Sequence, residues 1–417
     1  MRFFRIVSVP VLLVCLSVSC RSPKPKAFKP RPSRRPNYEK PLPPGMMALE
    51  KITNPAEIPY FGKAFQDRKG LIAALQKSST YFEKPSSKKY YPYLDITHER
   101  AHQSLAAFQE TLQACQSEKE FHELLIERFD VYRSVGYNGK GTVFFTGYCE
   151  PIYEARLRPT AEFRIPLYKL PPDLVKDEEG TPLGRRTRSG EIVPYFTRKQ
   201  IETHNLLKGL ELVYLKSRLE AYIVHIQGSA RLRLRDGNEF RVGYAGKNDR
   251  PYRSIAMALI KDGKMQKQEL SLQTVKRYFA NHPKDLDKYL HLNESFVFFT
   301  QTRGGPYGSI GVAVTPYRSI ATDKAVFPRG CLTYVETHLP KIGGGSNESY
   351  HRPFTSFMLD QDTGGAIRSA GRADIFIGTG PMAESLAGRV KSEGKLFYIF
   401  VKEGQPAAPQ TGGLVKN

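Results

Sequence analysis

Apolar positions follow two different periods along the chain, and the switch falls near residue 140. Before it the spacing is helical. In "AHQSLAAFQETLQAC", Ala101, Leu105, Phe108, Leu112 and Cys115 recur at alternating steps of four and three and line one helix face. Ser117 with Glu120 three residues on is a capping-box signal for a second helix carrying Phe121, Leu124 and Leu125. Both faces predict core packing. His98 and His102, one helical turn apart, are read as solvated surface histidines rather than metal ligands.

After residue 140 short β runs take over: "TVFFTGY", "FRIPLY", "AYIVHIQ", "ARLRLR", "FRVGYAG", "SFVFFTQ", "IGVAVT", "CLTYVET" and "LFYIFV". The stretch "ARLRLRDGNEFRVGY" predicts a hairpin with Asp236-Gly237 in its turn. Arg231, Arg233 and Arg235 share one of its faces, either as a basic platform for an anionic glycan or as a solvated sheet face. Helices are predicted in "PYRSIAMALI", "SLQTVKRYFANHP" and "MAESLAGRVKSEG", the last capped by Gly394. Many short strands with few helices predict a mainly β protein built on β-barrels, not a doubly wound sheet. The stretch 341–353, "KIGGGSNESYHRP", reads as a surface loop.

Composition narrows the partner. A chain of 417 residues has room for two or three domains and a real core, and its net charge of +22 points to an anionic partner. The start, "MRFFR" followed by "IVSVPVLLVCLSVS", is too short to span a bilayer comfortably and reads as a secretory signal over residues 1–20. Export argues against nucleic acid and leaves an anionic polysaccharide or membrane surface. Residues 21–45 are rich in proline and base and read as an extended tether; residues 405–417 read as a disordered tail. With Cys15 lost with the signal and Cys20 set aside for lipidation, Cys115, Cys149 and Cys331 remain, and three thiols cannot all pair. Nothing in the spacing of Cys and His suggests a metal, and no cofactor is expected.

Chemistry concentrates in "DQDTGGAIRSAGRADIFIGTG", residues 360–380, which holds Asp360, Asp362 and Asp374 among glycines. There is no Walker loop and no G-x-S-x-G elbow. Asp-Thr-Gly at 362–364 matches aspartic peptidases, but those need two such acids, so a homodimer would have to supply the second.

A longer series is more specific. "FFTGYCEP" (144–151), "FRIPLYKLPPDL" (163–174), "HIQGSARLRL" (225–234), "VGYAGKNDRPY" (242–252), "FVFFTQ" (296–301), "RSIATD" (318–323) and "DTGGAIRSAGRADIFIGTG" (362–380) occur in one order. The series resembles the membrane-bound lytic murein transglycosylase A family, whose C-terminal 3D domain is named for three aspartates. These would be Asp323, Asp362 and Asp374. The resemblance implies a double-psi β-barrel domain made by both chain ends, 46–151 with its helices plus 296–404, and a second β-barrel inserted at 152–295. It implies cleavage of the β-1,4 bond between N-acetylmuramic acid and N-acetylglucosamine in peptidoglycan, leaving 1,6-anhydromuramic ends, with no cofactor. Asp374 matches the catalytic acid, Asp362 a supporting acid and Asp323 a structural one. Thr146, Gly147 and Tyr148 match one groove segment, and Gln227, Gly228 and Ser229 another. Cys20 resembles a lipobox cysteine, which implies a lipoprotein on the periplasmic face of the outer membrane. The chain departs from the family at Cys149 (commonly Tyr), Ala230 (Gly) and Arg368-Ser369 (Lys-Gly). A glycan-binding module without catalysis remains the competing reading.

Overall fold

The computed structural model describes residues 36–178, 180–266, 269–341 and 351–404. The signal over 1–20, Cys20, most of the tether, the 405–417 tail and most of the 341–353 loop lie outside the described residues.

A short strand β1 (Leu49–Lys51) leads into helices α1 (Leu71–Phe82), α2 (His98–Ala114) and α3 (Glu118–Arg128). The expected helical faces are the buried ones: Ala101, Leu105, Phe108 and Leu112 on α2, Phe121 and Leu125 on α3. Thr97 caps α2 and Ser117 caps α3, each accepting a backbone N–H three residues on. Strands β2 (Phe129–Ser134) and β3 (Val143–Glu150) follow.

The middle of the chain contributes β4 (Ile152–Glu154), β5 (Ile165–Tyr168), β6 (Leu174–Lys176), β7 (Pro182–Arg186), β8 (Ile192–Val193), α4 (Arg198–His204), β9 (Glu211–Leu215), α5 (Arg218–Gln227), β10 (Ser229–Arg233), β11 (Glu239–Lys247), α6 (Ile255–Lys261), α7 (Leu272–Asn281), α8 (Leu286–Leu290) and β12 (Val297–Thr302). The last part holds β13 (Ser319–Ala321), β14 (Leu332–Pro340), β15 (His351–Asp362), β16 (Arg372–Thr379), α9 (Pro381–Ala387) and β17 (Lys391–Val401).

The protein is mainly β with some helices. Its larger sheet runs β1-β2-β17-β14-β15-β13-β16-β3, and β3 pairs back onto β17, so the strands from β17 to β3 close a barrel. Two of its pairs are parallel, β13 with β15 and β16 with β3. Its core joins Phe145, Ile320, Met358, Ile375 and Ile399 to the helical residues Phe108 and Phe121. A second ring forms from the middle strands. β12-β11-β10-β4 and β5-β9 are separate ladders, and the bridges Arg156↔Tyr214 and Lys169↔Phe299 join their edges. Leu167, Val213, Leu232, Val242 and Phe299 fill it. β12 thus belongs with the middle strands, and the chain returns to the first ring after residue 302.

Three predicted elements differ. "AYIVHIQ" lies in helix α5, because Ser217 caps it, Gly228 ends it at φ 76°, and Ala221 to His225 are buried on every side. A short run of mostly apolar residues has no clear period with which to tell helix from strand. "IGVAVT" forms turns bridged by Tyr307↔Ala313. The last helix stops at Ala387, not Gly394, which lies within β17 where a Cβ would meet the Glu336 carbonyl at 2.1 Å.

Candidate active site

Register assembles the site. On the barrel, Ala321 of β13 pairs with Asp362 on one side and Asp374 on the other; Asp374 pairs in turn with Thr146 of β3, and Thr146 with Lys391 of β17. Asp362, Ala321, Asp374, Thr146 and Lys391 therefore form one row across five strands. Two strand spacings separate the Cα atoms of the two acids, about 10 Å. Between them in the row stands only the small, buried side chain of Ala321, and both acids are partly exposed.

Asp374 is partly exposed, yet its Oδ1 is buried and accepts no hydrogen bond. Loss of water around the carboxylate pushes its pKa up to about 6; the Arg372 guanidinium and Thr146 hydroxyl pull it back, and Asp362 adds a smaller upward push. A carboxyl at about 6 is roughly 10% protonated at pH 7, against about 0.1% for a free aspartate. Asp362 is also held at about 6 by burial, although its Oδ1 accepts the backbone N–H groups of Ser309 (2.9 Å) and Thr363 (2.8 Å), which favour the anion.

Tyr148 lies one pleat along β3 from this row, its ring against Phe376 at 5.2 Å and its hydroxyl enclosed beside Asp362 without a hydrogen bond of good geometry. Gly147 has a packing reason: a Cβ there would meet the Ala387 Cα at 3.0 Å, where α9 crosses β3. Gln227 reaches over from the second ring, its Oε1 accepting the Cys149 N–H at 3.0 Å. Gly228 is the left-handed end of α5, and buried Ser229 opens β10. That bond and one from the Arg231 N–H to the Pro151 carbonyl (3.0 Å) join the segments 144–151 and 225–234.

Asp323 sits below this surface. Its oxygens accept the Ala325 N–H (3.1 Å) and the Ser369 N–H (2.7 Å) and tie two turns together. That bond explains a departure: Ser369 stands at φ 65°, where glycine fits best, and is held there by Asp323 and by its own hydroxyl donating to the Lys40 carbonyl at 2.5 Å. The Cys149 and Ala230 side chains are buried, so neither departure faces the groove.

Some readings need correction. His98 and His102 are half-buried, not solvated: each ring bonds a serine, Ser87 (2.7 Å) and Ser79 (2.8 Å), and both rings pack on Phe82. Residues 98–102 do spell H-E-x-x-H, with Glu99 in the metalloprotease position. Yet Glu99 is exposed and bonded to Gln103, and among the described residues no group of three His, Cys, Asp or Glu side chains could hold a metal. Arg231 and Arg233 lie on β10, with Arg235 beyond its end; Arg231 is paired with Glu150 and Glu239, while Arg233 and Arg235 are exposed. The tether does not run solvated to residue 45. Tyr38 stacks on Phe144 at 4.4 Å and Glu39 meets Arg372 at 3.3 Å.

Sequence reasoning passed over Arg372 and the pair Lys324–Asp360. Arg372 was legible two residues before Asp374, on the same strand face. Lys324 had no such signal.

Comparison with known proteins agrees with this architecture. Residues 144–300 match the model of the MltA specific insert domain and residues 318–400 that of the 3D domain. Membrane-bound lytic murein transglycosylase A of Escherichia coli K12 is 30% identical over 278 residues, 66% of this chain and 70% of the relative. The Buchnera aphidicola homolog is 31% identical over 285 residues, 68% and 73% of the two chains. The crystal structure of a membrane-bound lytic murein transglycosylase from Agrobacterium tumefaciens superposes with a TM-score of 0.70 at 26% identity, covering 85% of this chain and 98% of that one. E. coli MltA with bound chitohexaose gives 0.63 at 24% identity, covering 88% and 97%. With its insert and 3D segments in the same order, and with relatives at this identity matched over more than two thirds of their length, the chain belongs to the membrane-bound lytic murein transglycosylase A family.

Proposed function

We propose that this protein is a lytic transglycosylase that cleaves the β-1,4 bond between N-acetylmuramic acid and N-acetylglucosamine in peptidoglycan and leaves 1,6-anhydromuramic ends. The observation that carries the reading is Asp374: one buried carboxylate oxygen without a partner, on a partly exposed residue of a barrel strand, with its pKa lifted to about 6. The family and the chitohexaose bound by the E. coli relative support a glycan as the substrate.

The reaction requires one group able to donate a proton and then take one. Protonated Asp374 gives its proton to the glycosidic oxygen as the bond to C1 of the muramic sugar breaks. The resulting carboxylate then accepts the proton of the sugar's own C6 hydroxyl, whose oxygen bonds to C1 and closes the anhydro ring. No water is consumed and Asp374 ends protonated. The attacking hydroxyl is tethered, which supplies a large effective concentration. A single acid–base group with a pKa near working pH therefore suffices, whereas hydrolysis needs a second carboxylate to activate water or act as nucleophile. Thr146 would hold the acid's orientation. Asp362 would shape the site and oppose ionisation of Asp374, while Tyr148, Gly147, Gln227, Gly228 and Ser229 line the glycan path.

In this reading the first ring, from 46–151 and about 303–404, is a double-psi β-barrel and the second is an insert. The chain is exported and works at the envelope, anchored through a lipid on Cys20; among the described residues no helix is long and apolar enough to cross a membrane. Digestion of purified sacculi by wild type and Asp374→Asn, with mass analysis of the fragments, tests it. Anhydro ends from wild type alone are expected. Reducing ends would instead make the protein a hydrolase, with Asp362 as the second carboxylate.

A further inference from the structure

The row that carries Asp374 has a neighbour one pleat away on the same face. Arg372 of β16 pairs with Phe144 of β3, and Phe144 with Glu393 of β17. Residues 38–40 lie across this second row. The Tyr38 ring stacks on Phe144 (4.4 Å, 13°), and its hydroxyl donates to the Glu393 Oε1 at 2.6 Å. Glu39 Oε1 accepts from the Arg372 Nη1 at 3.3 Å, and the Lys40 carbonyl accepts from Ser369. Both charged ends of the row are therefore met by the same short strap. The Arg372 side chain is only 15% exposed; its Nη2 donates to the Thr146 Oγ1 at 3.1 Å, its Cζ stands 5.6 Å from the Phe144 ring centre, and its Nε is buried without a partner. Thr146 is the register partner of Asp374.

Resting on the transglycosylase reading, we propose that Arg372 is a positioning residue for the acid. It fixes the Thr146 hydroxyl beside Asp374 and supplies the positive charge against which Asp374 ionises, and the docked strap, through Glu39, holds and partly neutralises it. The arrangement suits a carboxyl that must serve in both protonation states. Burial alone favours the acid; a guanidinium two residues away stabilises the carboxylate needed for the second proton transfer. Arginine rather than lysine fits because its fork reaches Thr146 and Glu39 at once. The other ionisable groups facing Asp374 are Asp362, Tyr148 and Cys149, with Lys391 in register beyond Thr146; those facing Arg372 are Glu39 and Tyr252. None of them bridges Thr146 and the strap as Arg372 does.

The test is the pH profile of anhydromuropeptide release by the purified chain. Above the pKa of the acid the rate falls as Asp374 ionises. Removing the cation in Arg372→Gln raises that pKa, so the alkaline limb moves up by about half a unit or more, and kcat falls about ten-fold as Thr146 loses its anchor. Arg372→Lys keeps the limb in place and recovers part of kcat. Glu39→Gln frees the guanidinium charge and moves the limb the other way, to lower pH, by a few tenths of a unit, roughly the scale of an exposed ion pair. Limbs unchanged in Arg372→Gln, or shifted in the same direction by Arg372→Gln and Glu39→Gln, overturn the proposal, because a merely structural role has no reason to produce opposite shifts. Should Arg372→Gln fail to fold, an unmoved limb in Glu39→Gln overturns it. Failure of wild type to form anhydro ends would strike the functional reading instead.

Discussion

Asp360 and Asp374 lie on strands that flank β13, and the barrel treats them in opposite ways. Asp360, fully buried, meets Lys324 in an ion pair and accepts hydrogen bonds from the Thr322 hydroxyl (2.7 Å) and the Tyr398 hydroxyl (2.6 Å). Asp374 keeps one buried oxygen with no partner. Around Asp360 a cation and two hydroxyls enclose the carboxylate. At Asp374 the cost of burying the charge is left standing, and the carboxyl becomes able to hold a proton near neutral pH. Asp362 is intermediate, raised to about 6 despite two backbone donors. The lesson is that desolvation makes an acid useful only where partners are withheld.

The strongest way to break this contrast is Asp374→Asn, which keeps shape and removes the proton. A fall in anhydromuropeptide release of about 10²–10⁴-fold is expected, the usual contribution of a positioned general acid. A variant retaining a tenth of the wild-type rate would remove Asp374 from the chemistry. On the enclosed side, Lys324→Met leaves Asp360 charged, buried and short of its cation. Urea denaturation should show a loss of about 3–5 kcal/mol, and the double change Lys324→Met with Asp360→Leu should recover much of it. A single variant as stable as wild type would mean that the pair is not neutralising anything.

Asp362→Asn sharpens the comparison more gently. Removing a nearby negative charge lowers the pKa of Asp374, so the alkaline limb of the pH–rate profile should move to lower pH. The shift should stay under about half a unit, because burial is the first cause and Asp362 the last. A larger shift would mean that repulsion, rather than desolvation, holds the proton on Asp374.

The last expected effect is on the pH dependence of stability. Asp374 has a folded-state pKa of about 6, above its unfolded value near 3.9, so the folded chain binds more protons between those values. Wild-type stability therefore drops as pH rises from about 4 to 6 and stays reduced above it. Asp374→Asn removes that loss: its unfolding free energy should exceed wild type at pH 7.5 by about 1–2 kcal/mol after allowance for partial exposure, with a correspondingly higher melting temperature, and match it at pH 4. Equal melting temperatures at pH 7.5 would show that the carboxylate costs the fold nothing.

Local pattern was enough for much of this. The period-3.6 face of α2, the Asp-Gly hairpin turn, the strand around 143–148 and the second half of β17 at 396–401 were legible because each is set by residues near one another in the chain. The motif series singled out Asp374 only through the family resemblance it carries. Where local signals were absent or equivocal, reading along the chain failed: "AYIVHIQ" is mostly apolar with no clear period, and residues 37–42 look like a solvated tether because their partners, Phe144, Arg372 and Glu393, are more than a hundred positions away.

Tertiary structure alone decided which aspartate is free. Asp360, Asp362 and Asp374 are one residue type within fifteen positions, and nothing in that stretch says that Lys324 and Tyr398 will enclose the first while one oxygen of the last is left without a partner. Sequence placed the acids at particular strand positions. Barrel closure, by setting the register among β15, β13, β16 and β3, determined what each would face, and an ionisable group's behaviour depends on what surrounds it.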